Sequence, residues 1–408
     1  MNLYYFISKR IAGGGRKDFS SLVSRIAVVS ITVGLALLIL AFAILEGFQN
    51  NIQSKIFSFG AHLQVTKYDA GHAHDESPLT IFSDLYQYPD SVDGIEHIQV
   101  FSHKAGLMRT REDVMGVVVK GVGTDFNLSK FKQNMVEGRF IEFKDSVPSR
   151  DIIISRRLGN LMQLGVGDSV VVIFAEAGGQ SARFRRLHVA GKYETGLEEF
   201  DEQVVLGDIA LNQELNDWPK TKVGGYEIFI DDFDRLEEVA DDVFEYMDFD
   251  MQIQKITDRY IQIFDWLTLL NRNVYIFLAL ILFIACFNMV STLLIMIMER
   301  TNMIGLLKSM GADNKQIQKI FVYNGLIIVR KGLLWGNIIG ITLCALQYYF
   351  QIIPLDVENY YMEFVPIEWN WGIIIGLNVL TFLIIALVLL IPATIISKIR
   401  PINAIRFN

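Results

Sequence analysis

Few side chains in this sequence stand at spacings that serve bond-making chemistry. His72, His74 and Asp75 carry imidazole and carboxylate groups that suit zinc, yet so polar a stretch reads more simply as a solvated loop. There is no G-x-x-x-x-G-K-[ST] loop to cradle a nucleotide, no H-E-x-x-H and no G-x-S-x-G. The chain is therefore expected not to be an enzyme and to bind no metal or cofactor of its own. What remains is the chemistry of contact, and it concentrates between Glu299 and Ala312. Met303, Leu306, Leu307 and Met310 recur there at helical spacing, Gly311 can stop the helix, and Asp313 with Gln316 offers the next helix a capping box. A short helix of this kind can seat in a groove of a soluble partner or rest on a lipid interface.

The segments that must position this helix are apolar. Hydrophobic residues make up 51% of the 408-residue chain and gather in four blocks, Ile26 to Leu45, Asn273 to Met298, Gly332 to Leu355 and Trp369 to Ile396. Each is long enough to cross a hydrocarbon core that needs about 20 apolar helical residues. Four crossings leave both termini on one side. Lys9, Arg10, Arg16, Lys17 and Arg25 precede the first block, Arg300, Lys308, Lys315, Lys319, Arg330 and Lys331 follow the second, and Lys398, Arg400 and Arg406 follow the fourth. The excess of Lys and Arg marks these flanks as cytoplasmic. The loop between the third and fourth blocks holds Asp356, Glu358, Glu363 and Glu368 and no base, so it lies outside, with the long segment from Glu46 to Arg272. The formal charge of −8 thus hides a basic inner face and an acidic remainder, which makes nucleic acid an unsuitable partner.

The expected fold is an α-helical membrane protein with four transmembrane helices and a large α+β extracytoplasmic domain of two lobes. Residues 1–25 suit a cytoplasmic interfacial helix and 26–48 the first span, an anchor despite the cleavage-like Ala41-Phe42-Ala43. Residues 49–268 form the outer domain, with a second lobe inserted near 131–224, and 269–298 the second span. Residues 299–312 form the short cytoplasmic helix, 313–353 a helix leading into the third span, 354–368 an outer loop, 369–396 the fourth span and 397–408 a cytoplasmic tail. Cys286 and Cys344 both fall in spans, so an ordinary hydrophobic core must hold the outer domain. Branched runs at 62–65, 115–119, 152–154, 170–174, 187–189 and 226–230 read as strands, and 156–164 and 234–246 as helices. The second of these helices places Leu236, Val239, Ala240, Val243 and Phe244 on one face.

Within the spans, Gly332, Gly336 and Gly340 make a smooth strip suited to helix packing. Asn288, Asn337 and Asn378 suit interhelical hydrogen bonds, and Tyr348, Tyr349, Tyr360, Tyr361, Trp369 and Trp371 an outer aromatic belt.

Asn288 to Leu293, followed by Glu299-Arg300-Thr301 and by Ile304 to Ala312, resembles the signature of the lipoprotein-releasing permeases, the LolC/LolE family. Gly60 to Val65, Gly138-Arg139-Phe140, Leu164 to Asp168 and the stretch from Pro392 through Arg400-Pro401 to Arg406 are similar too, so the resemblance covers nearly the whole chain. It implies a four-span, mechanotransmission-type ABC permease of the bacterial inner membrane, related to MacB-like exporters and cell-division permeases. Two permease subunits would pair with two copies of a separate ATPase that uses ATP and magnesium. Glu299 to Met310, with Arg300, Met303, Ile304, Leu306 and Leu307, would be the helix coupled to that ATPase. The implied cargo is an acylated lipoprotein, handed to a periplasmic carrier. Phe42, Leu45 and Phe48 on the first span, with Ile261, Phe264, Leu267, Leu270 and Phe277 at the entry of the second, could receive acyl chains or simply pack against helices and lipid.

Two features depart from the family pattern. The turn from Ala175 to Ala182 is compact and free of proline where the carrier-recruiting member has a long hook, and Arg330 with Lys331 interrupts the approach to the third span. The missing hook gives a homodimer a slight advantage over a heterodimer. A MacB-like efflux permease and a cell-division-type scaffold regulating a periplasmic hydrolase are the alternatives.

Overall fold

A computed structural model of the protein describes residues 19–68, 76–144, 147–175, 182–356, 360 and 362–394. The chain separates into a membrane unit, Met1–Asn50, Trp266–Leu355 and Phe364–Asn408, and an outer unit, Asn51–Asp265 and Asp356–Glu363. The segment expected as an interfacial helix lies mostly outside the described residues, as do the turn at 176–181, His72, His74, Asp75 and the tail.

The long helices are α1 (Phe19–Phe59), α5 (Ile261–Glu299), α7 (Asn314–Phe350) and α8 (Trp371–Val388), with α6 (Thr301–Ser309) between α5 and α7. Among the described residues, four helices are long and apolar enough to cross a membrane. At 1.5 Å per residue, α1 with 41 residues and α5 with 39 run about 60 Å, twice a hydrocarbon core of about 30 Å. In the membrane unit one apolar cluster joins Ala27 and Ile31 to Met289, Met296, Ile317, Phe321 and Leu389. A second joins Leu35, Ile39 and Phe42 to Cys344, Ile374 and Leu377. Trp369 lies 5.9 Å from Trp371 and 6.3 Å from Tyr348, an aromatic cluster at one end of α7 and α8.

The outer unit holds β1 (Leu63–Lys67), β2 (Leu79–Thr80), β3 (Ile95–Arg109), β4 (Val114–Val122), β5 (Met135–Gly138) and β6 (Asp151–Ser155). It continues with β7 (Ser169–Ala175), β8 (Ala182–Tyr193), β9 (Val204–Asp208), β10 (Lys222–Val223), β11 (Gly225–Ile230) and β12 (Met251–Lys255). Its helices include α2 (Arg156–Leu161), α3 (Ile209–Leu215) and α4 (Leu236–Glu245). The main sheet runs β12-β1-β11-β3-β4-β9-β6-β8-β5, and β7 bridges β8 back to β3. Strands β3, β4, β9, β6, β8 and β7 therefore close a ring. Most neighbours are antiparallel, but β4 and β9 are parallel, as are β6 and β8, with α2 and α3 leaving the ends of β6 and β9. Ser155 and Asp208 cap those helices by accepting from Leu158 N and Ala210 N.

Two cores result. Leu63, Val65, Val100, Tyr226 and Ile228 pack under α4. Met108, Val119, Ile152, Ile154, Val172, Phe174, Leu187 and Val189 fill the ring, closed by Leu158 and Leu211. The fifteen-residue β3 serves both, so the second core draws on Met108, Val117 and Val119 as well as on residues between 131 and 224. On α4, Leu236, Val239, Ala240 and Val243 are buried while Phe244 is exposed, because it lies beyond the edge of the buried stripe.

His62 is buried against Phe57 at 4.1 Å, and its Nδ1 accepts from Ile230 N at 3.1 Å. Burial, reinforced by the charge of Lys130, lowers its pKa to about 3, so the folded state holds the ring neutral. An unfolded histidine takes up a proton below about pH 6.5. The preference for the neutral ring thus contributes fully above that pH and is lost as pH falls toward 3, at up to about 1.4 kcal/mol per unit. Thermal unfolding midpoints measured from pH 7 to pH 4.5 are expected to fall less steeply in His62→Asn, which keeps an acceptor but no titrating ring.

Candidate functional site

Where α5 ends at Glu299, Arg300 turns the chain into α6, and Ile304 N donates to the Arg300 carbonyl at 3.0 Å. Thr301 Oγ1 donates to the Met298 carbonyl at 2.6 Å. At the other end Gly311 adopts φ 90°, a left-handed conformation that glycine reaches without a Cβ clash. Gly311 N and Ala312 N then donate to the carbonyls of Lys308 and Leu307, each at 3.0 Å. Asp313 completes the capping box of α7, with its N–H donating to Gln316 Oε1 at 3.1 Å. α6 is thus held at both ends.

The helix divides its apolar residues. Ile304 is fully buried, and Met303 and Leu307 pack partly against the cluster of Met296, Ile297, Ile317 and Phe321. Leu306 and Met310 are 58% and 77% exposed, and Glu299 is exposed beside them. The four residues expected on a single apolar face therefore split. At 100° per residue Ile304 centres the buried side with Met303 and Leu307, leaving Leu306 and Met310 on the open shoulder.

The glycine strip lies against α1. A Cβ on Gly332 would come within 2.7 Å of Ile31 Cβ, one on Gly336 within 2.9 Å of Leu35 Cβ, and one on Gly340 within 3.2 Å of Ala36 Cα. Thr32 Oγ1 uses the close approach to donate to the Gly332 carbonyl at 3.2 Å. Asn337 and Asn378 exchange side-chain hydrogen bonds at 2.7 and 2.9 Å between α7 and α8, and Asn288 donates to Ser30 Oγ at 2.7 Å between α5 and α1. Such bonds contribute about 0.6 kcal/mol each and fix which faces meet. Arg330 and Lys331 are both exposed on an unbroken α7.

The residues read as a cargo-receiving surface scatter. Phe42, Leu45 and Leu267 are buried, the first two among Ile367, Ile374 and Leu377, with Leu270 partly packed on the same cluster. Phe48 makes an edge contact with Trp266 at 6.4 Å, and Phe264 stacks on Phe233 at 5.8 Å in the outer unit. Ile261 and Phe277 are open. Helix packing thus occupies Phe42 and Leu45, and Leu267 is buried as well. The open faces of the first two long helices instead carry Ile26, Val29, Val33 and Leu37 on α1, and Ile276, Leu280, Phe283 and Phe287 on α5. Their spacing is helical, but both blocks are apolar all round, so periodicity gives no contrast by which to choose a face.

Truncating Ile304→Ala is expected to destabilise the membrane unit by about 2–5 kcal/mol, through a cavity at a fully buried site. Gly336→Val is expected to cost about 1–3 kcal/mol by overpacking against Leu35. Thermal denaturation in mild detergent checks both, with Leu306→Ala as the near-neutral control.

Residues 24–243 match the family model described as a MacB-like periplasmic core domain, and residues 275–401 that described as an FtsX-like permease C-terminal region. The chain is 22% identical to the lipoprotein-releasing system transmembrane protein LolC of Xylella fastidiosa (strain Temecula1 / ATCC 700964), over 100% of this chain and 98% of that protein. It is 24% identical to LolE of Haemophilus influenzae (strain ATCC 51907 / DSM 11121 / KW20 / Rd), over 98% of each. Identity to LolC of Neisseria meningitidis serogroup B (strain ATCC BAA-335 / MC58) is 22%, over 96% of each. Four apolar helices, a short helix between the second and third, and a mixed-sheet outer domain agree with both family models. The chain belongs to the family of ABC-type membrane permease subunits that carry a MacB-like periplasmic core domain and an FtsX-like permease region.

Proposed function

We propose that this chain is the transmembrane subunit of an inner-membrane ABC transporter that extracts lipoproteins for delivery to the outer membrane. Similarity over 98–100% of the chain to relatives named for lipoprotein release carries this reading, because it includes the outer domain as well as the spans. ATP and magnesium act on a separate ATPase present in two copies. The basic flanks support a reading in which both termini lie in the cytoplasm and the outer unit in the periplasm. That orientation turns the exposed shoulder of α6, Leu306 and Met310 beside Glu299, toward the ATPase, while Met303, Ile304 and Leu307 transmit its movement to α5 and α7. A second copy of this chain is favoured over a sister subunit as the other permease.

Moving acyl chains into water costs roughly 0.8 kcal/mol per CH₂, so extraction must be driven and must end on an apolar surface. Hydrolysis supplies the drive, and the open stripe of α5 from Ile276 to Phe287, which begins toward the periplasmic end of its span, is suited to receive the chains. The short, proline-free sequence between β7 and β8 offers a periplasmic carrier little to grip. A MacB-like efflux role is the second reading, favoured by the core-domain match.

Purification of the tagged permease in mild detergent, with mass spectrometry of what accompanies it, is expected to recover an ATPase and a triacylated lipoprotein. An ATPase with an adaptor protein and no lipoprotein would favour efflux, and one with a cell-wall hydrolase the scaffold. The double variant Leu306→Asp/Met310→Asp is expected to reduce ATPase recovery about tenfold or more, as loss of central anchors does at other interfaces. Undiminished recovery would remove α6 as the docking element.

A further inference from the structure

The outer unit contains a charged pair shielded from water. Glu227 on β11 is 0% exposed and Lys120 on β4 3% exposed, with Lys120 Nζ 2.7 Å from Glu227 Oε1. Gln64 on β1 donates to the same oxygen at 3.0 Å, and Gln99 on β3 donates to Oε2 at 2.8 Å. Gln64, Glu227 and Gln99 stand directly opposite one another across three adjacent strands, and β4 is the next strand along. Burial opposes ionisation of Glu227, but the Lys120 charge and the hydrogen bonds outweigh it and hold the carboxyl below the usual carboxylate range.

Both ends of this row reach helix termini. Lys120 Nζ also donates to the carbonyl of Phe59 at 2.7 Å and stands 5.3 Å from the centre of its ring. Phe59 is the last residue of α1, where carbonyls lack intrahelical partners and a cation is favoured. Arg259, just before α5, donates to Gln64 Oε1. The end of α1 and the start of α5 are therefore bonded to one buried network across four strands.

Cohesion alone gives little reason for such a network. A buried ion pair gains little over well-packed apolar residues of the same volume, so its distinctive property is direction. Apolar contacts tolerate sliding, whereas short charge-assisted hydrogen bonds hold a fixed geometry. We propose that Lys120 and Glu227, with Gln64, Gln99 and Arg259, fasten the helix ends to the sheet and carry ATP-driven helix displacement into the outer domain. The inference rests on the ATP-driven permease reading above.

The test uses the full-length permease with its ATPase in lipid nanodiscs, comparing the unaltered network with Lys120→Met/Glu227→Gln. In a Cys286→Ser/Cys344→Ser background, spin labels on Ser54→Cys in α1 and Val114→Cys in β4, both exposed positions, report the helix-to-sheet distance. The intact network is expected to give one narrow distance with and without nucleotide, and the double variant a broadened one. Lipoprotein released per ATP hydrolysed is expected to fall about tenfold, with hydrolysis itself within about twofold of the original. A distance as narrow as the original, or unchanged release per ATP, overturns the proposal. If the unaltered complex releases no lipoprotein, the transport reading fails, and the distance measurement still judges the fastening. Should the double variant not accumulate, Gln64→Met, which cuts the Arg259 link and spares the ion pair, is read in the same two ways.

Discussion

The absence of side chains at Gly332, Gly336 and Gly340 sets the geometry of the membrane unit. With no Cβ in the way, α7 meets the side chains and backbone of α1 at distances where an added methyl would push Ile31 and Leu35 aside, and Thr32 reaches a backbone carbonyl across the gap. In a bilayer, where lipid tails are as apolar as leucine, such contact and a few polar clasps provide the attraction that water would otherwise supply. The Asn337–Asn378 exchange then places α8, the Asn288–Ser30 bond places α5, and α6 follows from the feet of α5 and α7. A chain of local fits thus decides which two apolar residues of α6 remain open.

The outer unit solves the opposite problem. Water is available there, and two ordinary apolar cores hold the lobes without a disulfide. Polar residues are buried where position matters more than cohesion. Asp201 accepts from Thr195 and Gly196 to fix a turn, Asn212 bridges β3 and β4, and the Glu227 row ties four strands together.

Much of this was legible in the sequence wherever one physical signal dominated. The spans stand out by length and hydropathy, and the branched runs at 152–154, 170–174 and 226–230 lie inside β6, β7 and β11. The capping box and Gly311 were readable because each uses a residue type with a narrow conformational role. The longest strand, β3, gave no clean alternation, because Gln99, Ser102 and Lys104 are buried polar residues and Gly106 interrupts the pattern. Closure of β7 onto β3 depends on pairing between segments more than 60 residues apart, for which local pattern holds no information. The candidate site was half readable: its place and caps were visible, but which side of α6 faces inward depends on Ile317 and Phe321 from another helix.

The closed ring of the second lobe has a consequence for how such a domain can change. Around the ring most strand edges are taken up by neighbours, which leaves only short stretches, such as Val114–Val117 on the β9 side of β4, where another strand could pair. Length added between β7 and β8 leaves their ladder, from Ser169 opposite His188 to Ala175 opposite Ala182, in place. The lobe thus pairs a hydrogen-bonded framework with a connection whose length the framework does not fix.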